Sequence, residues 1–386
     1  MEEIIGQIIG NKYRVIRPLG EGGQGAVYLV EDLHVRKYWA MKLWRRKNAA
    51  HVENTEKGEL AEDIENREVQ NGSQGIRNEI NALQKLNHKN LPLIVDSIQI
   101  EERDAIIMEY IEGQNMEAYL RRNKRLDMEQ VLQWGAELID VIQYLHTRTP
   151  AFVYGDLKPA NIMITKQGNL QLIDFGTTME EAEYQKQAYR TGTYGYAAPE
   201  LMCVAGGLAV AGLCPDARSD IYSLGVILHY MVTGRNPVMR GTELRPIREY
   251  DSTLSAGLEL IIGRCLQKNP EERYQTCKEL KKDIAQYKVL EHKYQWEYFL
   301  AYGTYVFLML NAIGFMGFHV WEIAEHKTSG KPALIVYSIL CAVTSYLIKL
   351  RVVSRKIKIH RYYKQEISIL KTEKGEIRGD APLISE

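Results

Sequence analysis

The stretch VYGDLKPANIMI at 153–164, with Asp174-Phe175-Gly176 ten residues beyond it, constrains this chain more than any other. It sets a carboxylate (Asp156), an ammonium (Lys158), an amide (Asn161) and a second carboxylate (Asp174) within nineteen residues. Between them an apolar run, Ile162-Met163-Ile164, meets turn residues Lys166-Gln167-Gly168 and a second run, Leu170 to Ile173, which together read as a β-hairpin. A hairpin folds the chain back on itself, so the two carboxylates converge on one spot. Such a set suits phosphoryl transfer. One acid orients an attacking hydroxyl, the amide and the other acid hold a divalent cation, and the ammonium neutralises the moving charge.

A second signal lies near the start. YRVIRPLGEGGQGAVYLV at 13–30 reads as strand, glycine turn, strand, with Gly20, Gly22 and Gly25 spaced G-x-G-x-x-G. Glycines let the backbone approach phosphate oxygens and offer N–H groups to them. A plain glycine hairpin and a dinucleotide-binding turn share the pattern. In the dinucleotide turn the last glycine opens a helix, whereas Val27-Tyr28-Leu29-Val30 reads as a strand. The next strand, Tyr38 to Trp44, carries Lys42 in an apolar setting, a costly placement without a partner.

These motifs, in this order and spacing, resemble the eukaryotic-like serine/threonine protein kinase family of bacteria over residues 11–288. The resemblance implies an α+β bilobal protein-kinase fold, with a small β-rich lobe at 11–111 and a helical lobe at 112–288. It implies ATP contacts at Gly20, Glu21, Gly22, Gly25, Val27, Ala40, Lys42, Glu79, Met108, Glu109 and Ile111. In it Glu79, on an amphipathic segment with Ile76, Ile80, Leu83 and Leu86, pairs with Lys42. Met108 lines the back of the adenine pocket, and the backbone of Glu109 and Ile111 bonds adenine. Asp156, Lys158 and Thr193 are the catalytic group, and Asn161 and Asp174 hold Mg²⁺, or Mn²⁺ in its place. Asp220 holds the catalytic loop, and Glu200 pairs with Arg273. Thr177, Thr178, Tyr189 and Thr191 are candidate phosphorylation sites. The partners implied are proteins with Ser or Thr hydroxyls.

One position departs from the family: Gly155 stands where an arginine is usual. That arginine pairs with phosphate on the activation segment, so its loss bears on regulation and motivates an alternative, a catalytically weak or inactive pseudokinase scaffold. A lipid or small-molecule kinase would keep the ATP site, but the segment Gly192 to Glu200 resembles a shelf for an extended peptide.

Composition adds exclusions. Lysine plus arginine and aspartate plus glutamate each number 49, so no global field points to nucleic acid. The five cysteines form no CxxC pair, which fits a reducing compartment rather than a disulfide framework. Residues 45–74 are polar, dense in both charges and without core periodicity, and read as an insertion.

Past the kinase-like region, 299–321 contains no Asp, Glu, Lys or Arg. At about 1.5 Å per residue such a helix reaches ~34 Å, enough to cross a ~30 Å hydrocarbon layer. A second apolar run, at 332–350, follows the Thr328-Ser329-Gly330 turn. Arg351, Arg355, Lys356 and Lys358 begin a basic tail over 351–386. The expectation is two transmembrane α-helices in the plasma membrane, with the kinase domain and the C-terminus both cytoplasmic and the tail near anionic lipid. The oligomeric state is not legible.

Overall fold

The structure, a computed structural model, describes residues 4–22, 25–44, 86–100, 103–123, 125–185, 192–202, 216–239 and 244–324, with six more between 339 and 347. The insertion at 45–74, the expected Glu79 helix, Tyr189, Thr191 and the basic tail lie outside the described residues. The chain divides into two compact units, residues 1–240 with 269–281, and 241–268 with 282–386.

The first unit opens with an antiparallel sheet of β1 (Ile8–Ile9), β2 (Tyr13–Glu21), β3 (Gly25–Asp32), β4 (Lys37–Trp44), β5 (Ile94–Ile100) and β6 (Arg103–Glu109), in the order β1-β2-β3-β4-β6-β5. Alternation drives it. Tyr13 and Val15 point into a core with Val30, Met41 and Ile107, while Arg14 and Arg17 lie on the other face. Among the described residues β1 pairs with Tyr13 and Arg14 only, which leaves Pro18 on an edge of β2. A proline there removes no ladder bond, and the pairing of β2 with β3 shifts register on each side of it.

After β7 (Gly113–Asn115) come α1 (Met116–Asn123) and α2 (Met128–His146). Asp127 caps α2 by accepting the Gln130 N–H at 2.8 Å. Val131, Trp134, Leu138, Ile142 and Leu145 form its buried face. β8 (Phe152–Val153) leads through a 3₁₀ turn at Pro159–Asn161 into β9 (Ile162–Thr165) and β10 (Leu170–Leu172). These two are the expected hairpin, with Leu172 opposite Ile162 and Leu170 opposite Ile164. Trp134 donates its indole N–H to the Gly168 carbonyl at 2.8 Å, and Glu137 accepts the Leu170 N–H at 2.8 Å. The hairpin is therefore pinned to α2. β11 (Met179–Glu180) pairs back onto β8, a contact between distant segments that periodicity does not announce. α3 (Glu181–Tyr184) and α4 (Pro199–Met202) follow.

α5 (Ala217–Thr233) is buried on every side from Ser219 to Val232, as its near-continuous apolar sequence requires of a central helix. Asp216 caps its start, and Gly234, at φ +68°, ends it in the left-handed conformation. The expected Glu200–Arg273 pair is present and wholly buried. The two guanidinium contacts measure 2.6 and 2.7 Å, and the Ser219 hydroxyl donates to the same carboxylate at 2.8 Å. Removing one partner from such a pair costs about 3–5 kcal/mol, because the other charge is stranded.

The second unit contains α6 (Ile247–Tyr250), α7 (Ala256–Cys265) and the later part of the chain, while α8 (Cys277–Ala285) runs across the boundary. α9 (Tyr287–Ala324) is a single helix of 38 residues. Gly257 of α7 lies so close to the Tyr287 carbonyl that a Cβ there would overlap it. Ser255 donates to Glu291 at 2.7 Å beside that crossing. The expected spanning helix at 299–321 starts earlier than its sequence bounds. The segment is the end of α9, and among the described residues no helix is long and apolar enough to cross a membrane. The segment's large side chains are nonetheless exposed, among them Phe299, Leu300, Phe307, Leu310, Ile313 and Trp321. Of the second expected helix, 332–350, only the six scattered residues are described, and they are helical.

Candidate active site

The site starts from a carboxylate that does no chemistry. Asp220, in the first turn of α5, is 1% exposed. Its Oδ2 accepts the Tyr154 N–H at 2.8 Å, its Oδ1 accepts the Gly155 N–H at 2.9 Å, and the His146 Nε2 lies 2.8 Å from Oδ2. Buried carboxylates need donors, and here the loop backbone supplies them, so the strand-to-loop junction is set by a helix. Gly155 has φ +82°, and a Cβ on it would meet the Thr177 carbonyl oxygen at 3.2 Å and the Tyr184 ring at 3.3 Å. The glycine therefore has a backbone and steric reason, beside any regulatory one.

Asp156 follows directly. Its Oδ1 accepts from the Thr193 hydroxyl at 2.7 Å and the Thr193 N–H at 3.2 Å. Lys158 Nζ donates to Asp156 Oδ2 at 2.7 Å and to the Thr193 hydroxyl at 2.6 Å. Asn161 Nδ2 donates to the Asp156 carbonyl at 2.9 Å, which leaves its Oδ1 as the oxygen available to a cation. Asp174 stands across from this group. Its Oδ1 accepts from Lys42 Nζ at 3.0 Å and from the Gly176 N–H at 3.2 Å. Lys42, 7% exposed in the middle of β4, thus has the anionic partner its burial demands. The Ile173 N–H donates to the Asn161 carbonyl at 3.0 Å, tying Asn161 to the residue before Asp174. Phe175 is fully buried, edge-on to Tyr154 with ring centroids 5.4 Å apart.

Of the residues expected to meet a nucleotide, several share neighbouring strands. Val27 lies opposite Lys42 across β3 and β4, and Ala40 lies opposite Met108 across β4 and β6. A side chain on Gly25 would collide with the Leu43 carbonyl, whereas a Cβ on Gly20 or Gly22 would meet nothing within 4 Å among the described residues. Gly25 is thus required by the sheet. Glu21 is exposed and Ile111 half-buried. For Glu109 the structure narrows the expectation. Its N–H donates to the Leu93 carbonyl at 2.9 Å, so only its carbonyl is left to offer a purine. Asn161 and Asp174 supply hard oxygen donors suited to Mg²⁺. Among the described residues no group of three or more His, Cys, Asp or Glu could hold a metal. A cation here would complete its shell with phosphate and water oxygens.

Two features escaped the sequence reading. Thr177 and Thr178 read there as phosphorylation sites, yet both hydroxyls donate to the Tyr154 carbonyl, at 3.0 and 3.3 Å. His146 also went unnoticed, although it continues the buried stripe of Ile139 and Ile142 and a titratable side chain there calls for partners. Burial alone would push its imidazole down. The hydrogen bonds to Asp220 and to Cys277, whose Sγ lies 3.7 Å from Nδ1, outweigh that and hold the pKa at about 10.

A glycine turn between two strands, a buried lysine paired with a carboxylate, and a loop carboxylate braced by lysine and threonine are thus placed on one two-lobed fold. The family model described as "Protein kinase domain" matches residues 13–287, and the chain belongs to that family. It is similar to the serine/threonine-protein kinase PrkC of Bacillus subtilis, with 27% identity over 294 residues, 73% of this chain and 41% of that protein. It is also similar to the serine/threonine-protein kinase PknB of Mycobacterium tuberculosis, with 26% identity over 302 residues, 72% of this chain and 43% of that protein. The chain thus covers about two fifths of the length of these relatives.

Because its pKa is raised in the folded state, His146 contributes stability that is complete below about pH 6.5, its unfolded value, and is lost as pH rises through about 10. The melting temperature of His146→Gln should lie below wild type at pH 6 and approach it near pH 10. A difference independent of pH would show that the imidazolium–carboxylate contact is not what His146 contributes.

Proposed function

We propose that the chain is a serine/threonine protein kinase that transfers the γ-phosphoryl group of ATP to Ser or Thr hydroxyls of proteins, itself included. The observation that carries this is the Asp156–Lys158–Thr193 triangle, with sides of 2.6 to 2.7 Å, facing the Lys42–Asp174 pair. Bound MgATP supplies the phosphoryl group and the charge that neutralises it. Asp156 orients the substrate hydroxyl and takes its proton as the new P–O bond forms and the bond to ADP breaks. Lys158, held beside it, stabilises the transferring oxygens. Lys42 positions the nucleotide phosphates. The relatives' names, the lysine two residues after the loop aspartate and the shelf beginning at Gly192 support serine and threonine as acceptors. Gly155, the one motive for a silent scaffold, has a conformational explanation in its φ of +82°.

Membrane attachment is part of the same proposal. It rests on 299–321, which lacks Asp, Glu, Lys and Arg, and on the apolar side chains that α9 presents outward. The second apolar run and the basic residues after it support a hairpin with both ends in the cytoplasm.

Asp156→Ala should lower the phosphorylation of a generic basic protein by ~10²–10⁴, the usual scale for a general base, with ATP affinity retained. Unchanged turnover would remove Asp156 from the mechanism. For the anchor, the full chain should stay in the membrane pellet after alkaline carbonate extraction, and a chain ended at residue 298 should not. A full chain found in the supernatant would refute the attachment.

A further inference from the structure

The residue before the general base is a glycine, the residue with the freest backbone, and the base must be held to a fraction of an ångström to work. Something must therefore restrain the peptide unit that joins Tyr154 to Gly155. Its N–H end is held by Asp220 at 2.9 Å. Its carbonyl end is the acceptor of the Thr177 and Thr178 hydroxyls, at 3.0 and 3.3 Å. Thr178 is fully buried, and the two threonines are fixed in turn. The Thr178 N–H donates to the Phe175 carbonyl at 3.0 Å, and the next two residues pair with Val153 and Phe152 as β11 against β8.

We propose that Thr177 and Thr178 are positioning residues for Asp156: their hydroxyls lock the far end of the Tyr154–Gly155 peptide, so that the plane cannot rotate about the glycine and swing the carboxylate away. Asp220 alone fixes one end of a plane, and a plane held at one end still pivots. With both ends bonded, a flip breaks hydrogen bonds to a helix and to the activation segment together. The inference deepens the kinase reading and rests on it for its consequence in turnover. The clamp itself is a statement about the backbone.

Threonine allows a clean test, since valine keeps its shape without the hydroxyl and serine keeps the hydroxyl without the methyl group. The variants are Thr177→Val, Thr178→Val, the double valine and the matching serines, all in the full chain. Two readouts are taken: kcat with the KM for ATP, and amide hydrogen exchange at 154–156. The double valine should lose roughly tenfold or more in kcat, the scale of one to two lost hydrogen bonds, with the KM for ATP unchanged. Exchange at 154–156 should quicken, and the serines should restore both. Valine variants with wild-type exchange at 154–156 would overturn the clamp, whatever the turnover. Folded serine variants as impaired as the valines would overturn it too, since packing would then be the cause. Absent turnover in the wild type, with exchange still responding to valine, would refute the kinase reading and leave the clamp standing.

Discussion

The carboxylate of Asp220 is the contact on which the rest of the site depends. It is buried at the start of the central helix α5, where an unpaired charge would be costly, and it is satisfied by two backbone N–H groups of the catalytic loop and by His146. The dependence runs both ways: the loop satisfies the helix, and the helix fixes the loop. Everything downstream inherits that geometry. Asp156 is the next residue, Asn161 bonds back to its carbonyl, and the β9–β10 hairpin carries the chain round to Asp174.

Opposite charges recur at each level of this unit, and their burial sorts their roles. Glu200 and Arg273 are sealed from solvent, bond each other bidentately and hold the end of the activation segment to the helical lobe. Lys42 and Asp174 form a pair whose carboxylate is 40% exposed, so one face stays open to a ligand. Lys158 and Asp156 lie between these extremes, braced by a threonine that bonds both. A closed pair stabilises the fold, whereas a pair with an open face is available for chemistry.

Much of this was legible in the sequence because the candidate site residues are polar residues in otherwise apolar elements. Lys42 interrupts a strand, and Asp156, Asn161 and Asp174 flank a hairpin whose period-two pattern is plain. The helices α2 and α5 announce themselves by caps and buried faces. What was not legible arises from contacts between distant segments. Nothing local says that Met179 pairs with Val153, that the hydroxyls of Thr177 and Thr178 turn inward, or that Glu109 spends its N–H on Leu93. Gly155 illustrates the limit from the other side: its sequence reading was a missing arginine, while the backbone gives it a left-handed conformation beneath Tyr184. Hydropathy bounded an expected transmembrane helix at 299–321, whereas the helix itself begins at Tyr287, where it packs on α7 at Gly257.

The central claim is that this arrangement transfers phosphate from ATP to aliphatic hydroxyls. Incubating the purified full chain with γ-labelled ATP and Mg²⁺, followed by phosphoamino-acid analysis of the chain and of an added basic protein, tests it most directly. Label on phosphothreonine and phosphoserine, abolished by chelating the metal, is the predicted result. No transferred label, or label confined to phosphotyrosine, would contradict it.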